Sequence, residues 1–156
     1  MLRLCVSAAF IWAVATPASH AAGVRELRGA GVQIYRCAAQ EAGFAWKLKA
    51  PEATLTDASG RVVGRHFAGP SWQATDGSVV VGKAVAAGSV AGGGAVPWLV
   101  VQAVSHAGAG VFADVSYVVR TQTTGGVAPA AGCGAGHAGA EARVHYSASY
   151  IFFGTK

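Results

Sequence analysis

The stretch HFAGPSWQATDGS, residues 66–78, holds a histidine, a tryptophan, an aspartate and a serine within thirteen positions. Imidazole is a general base and a common metal ligand, and Ser, His and Asp together are the parts of a nucleophilic triad. The local spacing does not assemble such a triad. Ser78 sits in no G-x-S-x-G elbow, the sharp turn that exposes a hydrolase serine. It follows Asp76-Gly77, a turn signal that fits a two-residue hairpin loop. His66, His106, His137 and His145 form no H-x-H or H-E-x-x-H pattern. His66 and His106 flank apolar strands and are the candidates for one copper or zinc ion. Glycoside hydrolysis needs two facing carboxylates. Of seven acidic residues, Asp57 and Asp76 have turn roles and Asp114 falls on a polar strand face. No phosphate loop or dinucleotide glycine fingerprint is present, so no cofactor is expected.

Ligand contacts are the better use of these side chains. Trp72 follows Gly69-Pro70-Ser71, where the chain must bend, and precedes Gln73, Thr75 and Asp76. A large aromatic among polar groups lines pockets as well as cores. Trp46 and Trp98 lie in apolar phases and are expected in the core. Arg120 ends a strand beside Thr121, Thr123 and Thr124, suited to a carboxylate or other anion, or to a pair with Asp114. The candidate ligand set is His66, Trp72, Asp76 and Arg120, with no catalytic residue assigned.

The elements that would position these residues read as strands. Gly and Pro interrupt nearly every long window, and only Gly23–Ala30 could hold a helical turn. Phe44, Trp46 and Leu48 alternate with Ala45, Lys47 and Lys49, predicting a half-buried strand with an aromatic inner face. Val111, Ala113, Val115, Tyr117 and Val119 form one inward series. Val144, Tyr146, Ala148, Tyr150 and Phe152 form another. Residues 97–104 are apolar on both faces and begin with Pro, where a missing N–H is tolerated. Further strands are expected at 32–37, 54–57, 61–67, 71–74 and 78–85, with flexible glycine loops at 88–94 and 125–139. About eight or nine short strands predict an all-β antiparallel sandwich or closed barrel.

Bulk properties set the compartment. Met1-Leu2-Arg3, the apolar run to Ala15, the break at Thr16-Pro17 and Ala18-Ser19-His20-Ala21 form a signal-peptide pattern over residues 1–21. The expected order is signal (1–21), a short segment (22–30) and one β domain (31–156), secreted or periplasmic, with no transmembrane segment after cleavage. The net charge of +5 is spread along the chain, which argues against a nucleic-acid partner. After cleavage two cysteines remain, Cys37 and Cys133. In an oxidising compartment a disulfide is the simplest reading, closing a loop of about 97 residues worth ~4.7 kcal/mol by chain entropy. A metal pair and two free thiols are the alternatives.

The order of motifs adds a resemblance. GVQIYRC (31–37), FAWKLKAPEATL (44–55), GRHFAGPSWQATDGS (64–78), PWLVVQA (97–103), VVRTQTTGGVAPAAGC (118–133) and YSASYIFF (146–153) resemble the DUF3455 family of secreted bacterial and fungal proteins. Ser149 and Phe153 depart slightly from its last motif. The resemblance implies that Cys37 and Cys133 belong to the family pattern, with His66, Gly69, Pro70, Trp72, Asp76, Gly77, Ser78, Arg120 and Tyr150. It supplies no activity. The expected function is a ligand-binding or envelope-associated module for a small molecule or glycan. The alternative is a secreted hydrolase or metal-dependent enzyme using His66 and His106.

Overall fold

The computed structural model describes residues 23–154, so the expected signal at 1–21 lies outside the described residues. Eight antiparallel strands form one closed barrel in chain order: β1 (Val24–Gln40), β2 (Gly43–Thr56), β3 (Val62–Phe67), β4 (Ser71–Ala74), β5 (Val79–Gly88), β6 (Trp98–Ala107), β7 (Val115–Gly125) and β8 (Glu141–Gly154). Pairing of β1 with β8, from Val24↔Phe153 to Arg36↔Glu141, closes the ring. Closure removes the free edges that an open sheet leaves unpaired. Of the two expected architectures, the chain adopts the barrel.

The last strand follows its sequence pattern. Tyr146, Ala148, Tyr150 and Phe152 are all buried, meeting Leu27, Leu55, Val80, Val101 and Val118 inside the barrel. Two segments differ from expectation. Residues 24–30 are strand, not a helical turn: Leu27 and Gly29 alternate inward and pair with β8 across the boundary expected at residue 31. The two strands expected at 44–49 and 54–57 are one. β2 carries Pro51 through its middle, beside a register shift at Ile34/Tyr35 that leaves Lys49 without an opposite residue; bulges are where a strand tolerates proline.

The inward phase of β7 is reversed. Val118 and Arg120 are buried while Tyr117 is exposed, because a bulge between Val115 and Tyr117 shifts the alternation. Trp98 is likewise on the outside, 47% exposed, and Phe44 and Leu48 are exposed too. For Phe44 and Leu48 the reason is strand length. β3 pairs only with residues 53–56 of β2, so the β1–β2 ribbon runs on past the barrel wall. There Trp46 is covered by the β7–β8 loop, donating its Nε1–H to the Ala131 carbonyl at 2.9 Å. The Cys37–Cys133 disulfide pins the same loop, with Cα atoms 5.3 Å apart.

Buried side chains lie at both ends of the barrel. At one end Phe112 is fully buried and stacks on Phe152, with centroids 4.6 Å apart. At the other, Arg120 and Thr123 hold the carbonyls of Pro97 and Val96. A second bulge at Thr121/Thr124, with Gln122 at φ 48°, lets Arg120 and Thr123 both face inward.

Candidate functional site

His66, on β3, pairs in register with Trp72 on β4, and the three-residue turn Ala68-Gly69-Pro70 brings them together. Both side chains are buried. Their rings stack at 4.6 Å with planes 9° apart. Tyr150 of β8 meets both, at 5.2 Å from the imidazole and 5.8 Å from the indole. Phe152 stands edge-on to Trp72 at 6.0 Å. The Nδ1 of His66 lies 2.8 Å from the Ser71 carbonyl oxygen. A carbonyl only accepts, so Nδ1 carries the proton and Nε2 of the neutral ring is an acceptor. Burial holds the imidazole neutral, pulling its pKa down from 6.5 to about 4; the Ser71 bond opposes this and the Arg120 charge adds to it.

Arg120 lies across the β7–β8 register from Tyr150. Its Nε and Nη2 donate to the Pro97 carbonyl at 3.1 and 2.8 Å, and it forms no ion pair with Asp114, one of the alternatives the sequence allowed, among the described residues. Its charge also acts on three tyrosines. Burial raises the pKa of Tyr35, Tyr146 and Tyr150, and Arg120 opposes the rise in each. The hydroxyls of Tyr146 and Tyr150 bond each other at 3.1 Å, and Tyr35 donates to the Gly126 carbonyl at 2.6 Å. Gln33 packs near Tyr146 and Gly126. Among the described residues two buried nitrogens have no hydrogen-bond partner, Nε1 of Trp72 and Nε2 of Gln33.

Three of the four candidate ligand residues thus share one environment: His66, Trp72 and Arg120 converge on Tyr150. Asp76 does not join them. Its carboxylate accepts from the Ser78 N–H and hydroxyl and from the Val111 N–H, at 2.9, 2.6 and 2.9 Å. Those bonds, the Ser78 hydroxyl first, lower its pKa. Ser78 Oγ in turn accepts from the Phe112 N–H at 3.2 Å. Asp76 therefore fastens the loop that plugs the barrel. The turn is also one residue longer than expected. Gly77 N–H bonds the Ala74 carbonyl and only Gly77 has positive φ, giving a three-residue loop with its bulge glycine.

His106 is not brought to His66. Trp72 and Val80 intervene in the same cross-strand row, and the His106 Nε2 is bonded to the Val115 carbonyl at 2.7 Å. Among the described residues no group of three or more His, Cys, Asp or Glu is placed to hold a metal. An open groove of about 610 Å³ crosses β8, β1, β2 and β3. Its charged walls are already satisfied: Arg143 pairs with Glu52, and Arg65 donates to Gln73 at 2.9 and 2.6 Å.

Gln33, Tyr35, Tyr146 and Tyr150 were absent from the expected site. Their signal is the period of two. Gln33 and Tyr35 share one face of β1, and Tyr146 and Tyr150 share the inward face of β8.

The fold and this interior define a disulfide-tied, eight-stranded closed β-barrel with an aromatic, arginine-bearing core. The family model described as a protein of unknown function, DUF3455, matches residues 17–154, and the chain belongs to that family. No curated protein and no solved structure matches it. Among the described residues no helix is long and apolar enough to cross a membrane.

Proposed function

We propose that the barrel is a small-molecule-binding module that works outside the cytoplasm, in secreted or periplasmic form. The observation that carries this reading is the polar, incompletely bonded interior around Tyr150. An interior built only for stability satisfies its buried polar groups, whereas this one holds two buried donors without a partner among the described residues, together with a buried arginine. Binding sites combine apolar and aromatic walls with a few placed polar groups, and the mouths of β-barrels are a common location. The disulfide and the signal-like N-terminal sequence support the extracytoplasmic assignment. The enzyme alternative draws no support from His66 and His106, whose identified hydrogen bonds go to main-chain carbonyls on different strands.

The test is calorimetric titration with glycans, divalent metals and small organic acids, using wild type and Trp72→Phe. Binding of a small molecule that the variant weakens is expected. Equal binding by both proteins removes Trp72 from the site, and no binding by wild type rejects the reading.

A further inference from the structure

The charge inside the barrel is one-sided. Arg120 is buried, whereas none of the chain's seven Asp and Glu residues is, and all seven are described. Glu141, Asp57 and Glu52 pair with Lys49, Arg61 and Arg143 at the surface. Asp76 is committed to its turn. The acceptors identified for the Arg120 guanidinium are both neutral, the Pro97 carbonyl and the Tyr150 hydroxyl. A carbonyl dipole satisfies two N–H groups but does not neutralise a cation, and a buried charge without a counter-charge is strongly unfavourable.

The unpartnered groups nearby have the same sense. Trp72 Nε1 and Gln33 Nε2 are both donors. Trp72 reaches Arg120 through Tyr150, their shared neighbour. Gln33 gathers around Gly126 with Tyr146, on which the Arg120 charge acts, and with Val96, the residue before Pro97. A buried water could accept from one donor yet would leave the charge uncompensated. A carboxylate supplies one negative charge and about four lone-pair sites in a plane that matches the guanidinium fork. A phosphate would bring close to two charges against a single buried cation.

On the ligand-binding reading above, we propose that Arg120 holds the carboxylate of a small organic acid within the barrel, with Trp72 and Gln33 as the flanking donors. The acid's apolar body would find the aromatic rings around Tyr150. Sequence alone hides this, because Arg120 reads as the polar end of a strand until the bulge at Val115/Tyr117 turns it inward.

Sodium benzoate, with benzyl alcohol as its uncharged analogue, is titrated into isotope-labelled protein at fixed ionic strength. The Arg120 Nε–H and Trp72 Nε1–H resonances are followed. Benzoate is expected to shift both saturably, while benzyl alcohol binds at least tenfold more weakly. Arg120→Gln should weaken benzoate at least tenfold, and Gln33→Leu severalfold. Should Arg120→Gln not fold, Gln33→Leu and the benzoate/benzyl alcohol ratio carry the test. Equal affinity for the two probes, or benzoate binding unchanged in the variants, overturns the carboxylate assignment but leaves a Trp72-dependent binding barrel standing. No saturable shift with either probe overturns the assignment. If the wider panel also fails to bind, the ligand-binding reading fails with it.

Discussion

The imidazole of His66 lies flat on the indole of Trp72, 4.6 Å between ring centroids, with both rings sealed inside the barrel. Register alone produces the contact, since the two residues face each other across the β3–β4 hairpin. Paired residues on one face of a sheet are the unit of sheet stabilisation. The stack links the protonation state of one residue to the packing of the whole core.

Stability should therefore fall in acid through His66. The unfolded side chain protonates near 6.5 and the folded one at about 4. Above 6.5 both states hold neutral imidazole, and the full stability is present. Between 6.5 and 4 the unfolded chain binds a proton that the folded chain refuses, so stability drops as pH falls. The loss is on the order of 3 kcal/mol by pH 4 and then levels off. Urea unfolding at pH 7.5 and 4.5 checks this against His66→Phe. The variant should lose markedly less over the interval; an equal loss would assign the acid sensitivity to other groups.

Trp72 should tolerate shape-keeping replacement and resist truncation. Its side chain is fully buried against His66, Tyr150 and Phe152. Trp72→Ala opens a large cavity and should cost about 3–5 kcal/mol. Trp72→Phe keeps an aromatic face and removes a donor that has no partner, so it should cost well under half as much. Guanidinium unfolding of the two variants gives the comparison, and similar losses would mean that the indole N–H has a partner in solution.

The sequence made the barrel's class and its last strand readable because alternation on β8 is unbroken from Val144 to Phe152. Turn chemistry at Asp57 and Asp76 was equally plain, since Asp and Gly mark turns through local bonds. What misled was irregularity. One inserted residue between Val115 and Tyr117 reverses the face of everything after it until the next bulge, which hid Arg120 in the polar phase. Trp98 looked like core because its strand is apolar on both faces, yet the direction of the first residue was undetermined. His66, Trp72 and Arg120 were legible as interesting residues. Their convergence on Tyr150 was not, because it depends on pairing among β3, β4, β7 and β8, and closure of the ring is a long-range event.

Loss of the disulfide should act on the loop before it acts on the barrel. Cys37 and Cys133 are 96 residues apart in sequence, so the cross-link restricts the unfolded chain strongly. Removal should cost about 2–5 kcal/mol. Its direct neighbour is the segment that covers Trp46 and bonds Cys37 through Gly139 and Ala140. The Cys37→Ser/Cys133→Ser double variant should show faster amide exchange at Gly132–Ala140 and greater exposure of Trp46, with β3–β6 little changed. Uniform loosening of all strands would contradict a local tether.

The Asp76 clasp should behave as a structural lock with no part in ligand binding. Gly110, at φ +147°, passes so close to Asp76 that an added Cβ would lie 2.4 Å from Oδ2. Gly110→Ala must therefore strain the backbone and push the carboxylate off the Val111 N–H. Asp76→Ala removes the acceptor for Val111 and for Ser78, and Ser78 in turn orients the Phe112 backbone. Charge-assisted hydrogen bonds of this kind contribute about 1.5–3 kcal/mol each at most, and this carboxylate is exposed to water, so each variant should cost nearer the lower figure. Both should release the loop carrying Phe112, seen as a loss of its ring-current shifts on Phe152. Affinity for any ligand bound at Arg120 should change less than twofold, because Asp76 and Arg120 serve opposite ends of the barrel. A tenfold loss on Asp76→Ala would place the aspartate in the site after all.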